Sequence, residues 1–264
     1  MAGWRRSLRS GAVALALCLI AALGSGAWLA VLVGQADPVG EAGEIAVSRH
    51  VLDRNGVLLR AFQTGDDKWR LPVALEGVDQ RYLAMLKAYE DRRFDTHSGV
   101  DPRALARAAV QAAFSGGIVS GGSTLTMQVA RLLKERPTRS LRAKLGQIVD
   151  ALALERALTK DEILSLYLLR APYGGNIEGV RAASLAWLGK EPARLTAAEA
   201  ALLVALPQSP EARRPDRHRN AARLARDRVL ERMVTAGVLS AEEAAAAKRD
   251  PVPSRRRDVP LLAA

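Results

Sequence analysis

Cysteine and aromatic residues are scarce in this chain of 264 residues. The single cysteine, Cys18, excludes any disulfide framework within the chain. Aromatic side chains make up 4%, whereas alanine, leucine and arginine are abundant, and this bias favours helices over sheets. An apolar fraction of 49% and a charged fraction of 25% are ordinary for globular proteins and argue against extended disorder. The sequence therefore predicts one or two folded, mainly helical domains.

Acidic residues are the minority among the charges. The 28 acidic and 39 basic side chains leave a net charge of +11. This balance favours an anionic partner, such as nucleic acid, anionic lipid or a substrate that carries pyrophosphate, although a solvated arginine-rich surface is also consistent with it. The sequence has no pattern of base-stacking aromatics, so we expect no nucleic-acid partner.

Charge is absent from residues 11–33. A helix of this length spans about 34 Å, enough for a hydrocarbon core of roughly 30 Å. Arg5, Arg6 and Arg9 precede the segment and acidic residues follow it, which predicts a cytoplasmic N-terminus and an external remainder. The alternatives are a cleaved signal peptide, which would have a shorter apolar region and a small-residue cleavage site, and a twin-arginine signal at Arg5-Arg6. We predict a retained transmembrane helix.

The remainder has one hairpin signal followed by helical signals. Asn55-Gly56 lies between apolar runs that start at Val47, which predicts a short β-hairpin. Apolar residues at helical spacing, together with N-cap residues, predict the helices. They are expected to begin near Asp79, Asp101, Leu125, Leu141, Thr159, Thr196, Asn220 and Ser240. The tail 250–264, with three arginines among prolines, is predicted to be a linker or an exposed end.

The segment EDRRFDTHSG, residues 90–99, is the first to suggest chemistry. It places a carboxylate pair at a helix end, near an aromatic ring, a histidine and a glycine. A glutamate beside another acid and near apolar groups can have a raised pKa, as a general base near neutral pH requires. Taken alone, such a pair is more often a solvated helix cap.

The segment GGSTLTMQ, residues 121–128, is the second. Its glycines lead into a helix N-terminus, where free backbone N–H groups can meet an anion. Hydroxyl and amide side chains add further polar contacts. In isolation, the segment is more typical of a flexible turn with a Ser/Thr cap.

The two patterns together, EDxxFxxHxG followed by GGSTLTxQ, resemble glycosyltransferase family 51. This family comprises the N-terminal domain of class A penicillin-binding proteins and the monofunctional cell-wall transglycosylases. The resemblance extends from about Leu52 to about Met233. The segments MQVARLL, RAPYGG and LPQSPEARRPDR resemble the 1C subgroup of the class A proteins.

The resemblance implies a mainly α, lysozyme-like glycosyltransferase domain with a small β element and an N-terminal transmembrane helix. The expected organisation is a cytoplasmic N-terminus (1–10), a transmembrane helix (11–33), a linker (34–46), the glycosyltransferase domain (47–235), and a C-terminal helix and tail (236–264). The implied location is the inner membrane, crossed once, with the catalytic domain on the periplasmic side.

The implied activity is polymerisation of lipid II into glycan strands, with inversion at the donor anomeric carbon and release of undecaprenyl pyrophosphate. Glu90 matches the family's general base. The other matching positions are expected to bind substrate or shape the cleft. They are Asp91, Phe94, His97, Gly99, Gly122, Ser123, Thr124, Thr126, Gln128, Arg131, Arg139, Lys144 and Gln147. The implied partners are lipid II, the growing glycan strand and the membrane, with other cell-wall synthesis proteins as further candidates.

Three basic residues match positions of the family's second and third motifs. Arg131, Arg139 and Lys144 are expected to stabilise the leaving pyrophosphate, although surface charges on an amphipathic helix would give the same pattern. A Mg²⁺ or Mn²⁺ ion could share that role. Because the sequence shows no cluster of metal ligands, we assign none.

The chain departs from the family pattern at two positions. Most members have a glutamate where this chain has Gln147, as the 1C subgroup does, and an asparagine where it has Leu169. A glutamine cannot transfer a proton usefully, which puts in doubt any mechanism with two catalytic acids. The alternatives to an active polymerase are therefore a non-catalytic lipid II-binding or scaffold protein of cell-wall synthesis and a lysozyme-type hydrolase.

The motifs of a penicillin-sensitive transpeptidase are a further absence. Neither Ser-x-x-Lys nor Lys-Thr-Gly occurs in the sequence. The chain is therefore expected to be either a truncated class A protein, which the Pro/Arg tail favours, or a glycosyltransferase alone.

Overall fold

The computed structural model describes residues 26–115, 122–134 and 140–258, which are mainly α-helical. The helices are α1 (26–35), α2 (Pro38–Ala42), α3 (Gln80–Glu90), α4 (Pro102–Ser115), α5 (Leu125–Lys134), α6 (Leu141–Ala157), α7 (Lys160–Arg170), α8 (Val180–Ala183), α9 (Ala197–Ala205), α10 (Arg219–Thr235) and α11 (Ala241–Arg249). The strands are β1 (His50–Leu52), β2 (Leu58–Ala61), β3 (Trp69–Arg70) and β4 (Ile177–Glu178). A π turn, Ser184–Leu188, follows α8, and a 3₁₀ turn, Leu206–Gln208, follows α9.

The helix starts lie where the cap residues predict them. Thr159, Thr196 and Ser240 each accept a hydrogen bond from the backbone amide three residues on. The glutamate at that position accepts one in turn from the backbone amide of the cap residue. At α4, Asp101 Oδ1 accepts from the Ala104 amide at 3.0 Å, and proline occupies the first helical position. Local side-chain chemistry alone therefore fixes these starts.

Helix α9 lies at the centre of the core. Every residue of α9 except Glu199 is buried, and it packs against α3, α10 and α11. A helix that is apolar on all sides is stable only when other elements enclose it. Five of its nine residues are alanine, which allows its neighbours to approach closely. This packing places the C-terminus of α3 beside the segment that joins α9 to α10.

The β structure is small, and Leu58, Ala61 and Ile177 contribute to the same buried core. Strands β1 and β2 form the predicted antiparallel hairpin around Asn55-Gly56, with a register irregularity between Val51 and Leu52. The sequence did not predict the second pair, β3 and β4, which is parallel and two residues long. It joins residues over 100 positions apart, and Arg70 anchors it through Glu178.

The N-terminal helix is tied to the rest of the chain through α6. Arg156 Nη1 donates to the carbonyl oxygen of Val33 at 3.0 Å. Of the predicted transmembrane segment, only residues 26–33 lie within the described residues. Among the described residues, none of the helices has both the length and the apolar character needed to cross a membrane.

Residues 250–258 of the C-terminal tail are mostly exposed, but several contacts attach them to the rest of the chain. Val252 is buried, and its carbonyl oxygen accepts from Arg219 Nε at 2.9 Å. The buried Arg226 donates to the carbonyl oxygen of Asp250 at 2.8 Å, and the Arg257 amide donates to that of Ala186 at 2.7 Å. The tail backbone thus provides acceptors for the buried Arg226 and the exposed Arg219, which composition alone could not show.

The loop between α3 and α4 packs tightly against α6. Gly99 in this loop has a φ of +87°, and a Cβ there would lie 2.6 Å from the carbonyl oxygen of Ala151. Gly56, in the hairpin turn, has a φ of +80° but no atom within 4 Å of its Cβ position. Substitutions at Gly99 and Gly56 therefore distinguish two contributions to the free energy of unfolding. Both positions have the strain of a positive φ, but only Gly99 adds a steric clash.

We therefore expect Gly99→Ala to lower the free energy of unfolding by about 3 kcal/mol, because strain and overlap with α6 add. Gly56→Ala, which meets only the strain, should cost about 1 kcal/mol. Denaturant unfolding of the two variants beside the parent chain measures both. Equal losses would show that the contact of Gly99 with α6 does not constrain the loop.

Candidate active site

Glu90 is the last residue of α3 and is half-buried. Its Oε2 accepts a hydrogen bond from Gln128 Nε2 of α5 at 2.9 Å, and its Oε1 accepts one from Gln208 Nε2 of the 3₁₀ turn at 2.9 Å. Two amides from distant parts of the chain therefore hold the carboxylate. This arrangement excludes the simpler interpretation of Glu90 as a solvated helix cap.

Burial raises the pKa of Glu90 above its ordinary value. The two amide donors and the charges of Arg213 and Arg232 oppose the rise without cancelling it. A carboxylate whose pKa is raised in this way is more basic than one in water. The chemistry available to Glu90 is therefore acceptance of a proton from a weakly acidic hydroxyl.

Gln208 is a site residue that the sequence analysis did not single out. Its Oε1 accepts from Arg213 Nη1 at 3.1 Å. Because an arginine can only donate, this contact requires the amide oxygen to face Arg213 and the amide nitrogen to face Glu90. The segment LPQSPEARRPDR lies inside the family resemblance, but no pattern in it shows that the turn folds back onto α3.

Asp91, next to Glu90, has a different role because its side chain points into the protein. It is 6% exposed, and both of its oxygens lie within 3.0 Å of His97 Nε2. Its Oδ2 also accepts from the backbone amide of Leu125, the first residue of α5, at 2.9 Å. A carboxylate at a helix N-terminus satisfies a free N–H group and favours the helix dipole. Asp91 thus fixes the start of the helix that carries Gln128.

Other residues of the two predicted motifs hold the loop between α3 and α4 in place. Thr124 Oγ1 donates to the carbonyl oxygen of Gly99 at 2.6 Å and accepts from the Met127 amide at 3.1 Å. The ring of Phe94 is buried, and the ammonium of Lys160 lies 4.6 Å from its centroid. These contacts hold the loop between α3 and α4 beside the start of α5 and the start of α7.

A buried polar network continues behind Phe94. Glu155 Oε1 accepts from Thr126 Oγ1 and from Lys160 Nζ, each at 2.6 Å. The same lysine donates to the carbonyl oxygen of His97 at 2.6 Å. Thr126 is fully buried, so its hydroxyl serves this network.

A basic group lies on α5 and α6. Lys144 Nζ donates to Ser123 Oγ, and Arg131 lies one turn beyond Gln128 on the same face of α5. Burial and the charge of Arg131 lower the pKa of Lys144. In the described ranges, neither cation has a carboxylate within 4 Å. Two partly desolvated cations without a counter-ion form an environment that favours an anion.

The remaining predicted residues are placed as follows. Gly122 packs against α4, and a Cβ there would lie 3.1 Å from Leu105 Cδ2. Gln147 is 6% exposed on α6, one turn after Lys144. Arg139 lies outside the described residues.

Divalent cations such as Mg²⁺ are held in proteins mainly by carboxylate oxygens. Across the described ranges, no group of three or more His, Cys, Asp or Glu side chains could hold a metal ion. The acids of the site, Glu90 and Asp91, already have hydrogen-bond partners, and position 147 carries an amide. We therefore derive no chemical step through a metal.

Three buried tyrosines underlie the site. The hydroxyls of Tyr82 and Tyr173 lie 2.8 Å apart, and the hydroxyl of Tyr167 has no partner within the part of the chain that the structure describes. Burial raises the pKa of all three, and the charge of Glu90 adds to the effect. They stay neutral and form a floor of low polarity, which strengthens electrostatic interactions above it.

Comparison with known proteins places this site in a family. A family model described as Transglycosylase matches residues 55–234. Penicillin-binding protein 1C of Escherichia coli is 49% identical over 83% of this chain and 28% of its own length. Penicillin-binding protein 1A of Pseudomonas aeruginosa is 34% identical over 79% of this chain and 25% of its own length. This chain thus spans about a quarter of the length of these two relatives.

A shorter relative is matched over most of its length. A putative transglycosylase of Cupriavidus necator is 37% identical over 68% of this chain and 78% of its own length. The segment matched by the family model contains Glu90, both of its amide donors and the two described cations. The chain therefore belongs to the transglycosylase family, the peptidoglycan glycosyltransferases that its two sequence motifs resemble.

Proposed function

We propose that this domain polymerises lipid II, with Glu90 as the general base that activates the acceptor sugar hydroxyl. The observation that carries the proposal is the half-buried Glu90 carboxylate, held by two amides and more basic than a carboxylate in water. The membership in the transglycosylase family supports the substrate class.

The hydrogen bonds around Glu90 leave it able to accept a proton. Each carboxylate oxygen has two lone pairs, and Gln128 and Gln208 use one on each oxygen. The acceptor hydroxyl gives its proton to a free lone pair as its oxygen attacks the anomeric carbon of the donor. Attack opposite the leaving group inverts the configuration at that carbon.

The leaving group is undecaprenyl pyrophosphate, which needs its charge stabilised rather than a proton. Lys144 and Arg131 provide that charge next to α5, and Ser123 holds the Lys144 ammonium in place. In this mechanism one carboxylate is enough. Gln147, where most members have a glutamate, is then compatible with activity because no second acid is required.

We further propose that the chain is anchored in the inner membrane through residues 11–33, with the catalytic domain in the periplasm. The uncharged segment and the arginines that precede it support this topology. Tying α1 to α6 through Arg156 would then keep the cleft close to the membrane, where lipid II lies.

Glu90→Gln should reduce polymerisation of purified lipid II by at least about 100-fold, because a general base contributes on that order. The unfolding midpoint at neutral pH should not fall. The pKa of Glu90 is raised, so its charged form carries a burial cost at neutral pH that the neutral amide does not. Glu76→Gln, at an exposed position, is the matched control. Activity retained in Glu90→Gln would remove Glu90 from the mechanism.

The pH dependence of the parent chain follows from the same group. A base acts when deprotonated, so the polymerisation rate should fall as the pH drops through the raised pKa of Glu90. The fall should begin at a higher pH than an ordinary glutamate would give. A profile that is flat down to the range of free glutamate would contradict this environment.

Lys144→Ala should lower kcat/KM for lipid II by roughly 10- to 100-fold, because the leaving pyrophosphate loses a charge-assisted contact. Arg142→Ala, an exposed cation on the same helix, should have little effect and serves as the control. Steady-state kinetics on both variants measure the difference. Equal kinetics in the two variants would refute the pyrophosphate role.

A reporter enzyme fused after Ala264, of a kind that is active only outside the cytoplasm, should be active in cells. Exchanging the N-terminal arginines for acidic residues should reduce that activity. A fusion protein that is made in full but shows no reporter activity would refute the proposed topology. Lipid II binding without polymerisation by a folded parent chain would instead favour the non-catalytic alternative.

A further inference from the structure

The segment between α9 and α10 folds back over the site and contacts Glu90 from its open side. Gln208, which ends the 3₁₀ turn, is exposed, whereas Gln128 on the opposite side is half-buried. The two amide donors are therefore not equivalent. Gln128 belongs to a packed helix, but Gln208 needs another group to hold it in place.

Arg213 is that group. Its Nη1 donates to Gln208 Oε1 at 3.1 Å and to the carbonyl oxygen of Ala205, at the end of α9, at 2.7 Å. The second contact attaches the guanidinium group to the end of the core helix α9. The hydrogen bonds thus run from the core helix through Arg213 and Gln208 to Glu90.

The placement of Arg213 is unusual for a half-buried arginine. Within the described ranges, no carboxylate lies within 4 Å of its guanidinium group, although partial burial of an arginine normally requires one. The negative charge nearest along its hydrogen bonds is Glu90, one amide away. The amide dipole of Gln208 transmits a favourable contact from the cation to the carboxylate.

We propose that Gln208 and Arg213 are positioning residues that hold the Glu90 carboxylate in one orientation and keep it ionised. This inference rests on the proposed role of Glu90 as a base. Gln208 donates to the ionised carboxylate, and a protonated Glu90 would accept that bond less well. Losing the donor should therefore favour protonation of Glu90.

Other charged or titratable groups surround Glu90 and are unchanged by substitutions at Gln208. They are Tyr82 on α3, Tyr167 on α7, Tyr173 after α7 and Arg232 on α10. The tyrosines stay neutral over the working range because burial raises their pKa. A change in the titration of Glu90 in a Gln208 variant is therefore attributable to the lost donor.

The test compares Gln208→Ala, Gln208→Glu and Arg213→Lys with the parent chain, using the full chain in detergent. Gln80→Ala, an exposed glutamine at the start of α3, is the matched control. Two measurements are made for each: the pH dependence of kcat and KM on lipid II, and the titration of Glu90 by NMR with ¹³C-labelled glutamate carboxyls. The Glu90 signal is assigned by its loss in Glu90→Gln.

In Gln208→Ala, kcat at pH 7 should fall on the order of tenfold and recover as the pH rises, with KM nearly unchanged. The NMR titration of Glu90 should move to higher pH in parallel. Gln208→Glu should shift the pH dependence of kcat and the Glu90 titration further to higher pH, because a second carboxylate opposes ionisation of the first. For Arg213→Lys, kcat and the Glu90 titration should both lie between those of the parent and of Gln208→Ala. Lysine keeps the positive charge but lacks the several fixed N–H donors of a guanidinium group.

Two results would overturn the proposal. One is a Glu90 titration that stays at the parent position in both Gln208 variants. The other is a loss of rate that is equal at every pH, which a merely structural role would give. If the parent chain fails to polymerise lipid II, the proposed function fails, but the NMR titration still decides whether Gln208 and Arg213 act on Glu90.

Discussion

The hydrogen bonds that Glu90 accepts from Gln128 and Gln208 are the interaction on which the architecture of the site depends. A carboxylate that is partly removed from water needs donors, and these must come from elements that do not move relative to it. Helix α5 supplies one donor and the turn after α9 supplies the other. Much of the fold around the site can be understood as the means of keeping α3, α5 and that turn together.

Asp91 holds helix α5, which supplies the first donor, in position. Its carboxylate binds His97 and the N-terminus of α5, so the residue that follows the base also aligns the helix that carries one donor. Burial of Asp91 is tolerable because each of its oxygens is satisfied. The adjacent acids Glu90 and Asp91 thus have opposite orientations, one toward the cleft and one toward the scaffold.

The sequence predicts the helices well because their determinants are local. The capping boxes at Thr159 and Thr196, and the hairpin at Asn55-Gly56, depend on residues within a few positions. The β3–β4 pair and the contacts of the tail were not predicted, since they join residues distant in the chain. The same reason explains why Glu90 and Gln128 were named in advance and Gln208 was not: two motifs carry the first two, whereas only folding brings the turn at 208 to α3.

The distribution of charge around Glu90 agrees with the pyrophosphate leaving group of the proposed reaction. Arg213 and Arg232 act on Glu90 from the α10 side, while Lys144 and Arg131 lie together beside α5 and α6. A hydrolase that expels a sugar hydroxyl needs a second group to donate a proton. A pyrophosphate already carries its charge and needs cations instead. Position 147 carries an amide instead of a carboxylate, whereas the cations Lys144 and Arg131 are present. This combination is consistent with the proposed transfer from a lipid pyrophosphate, in which one carboxylate is enough.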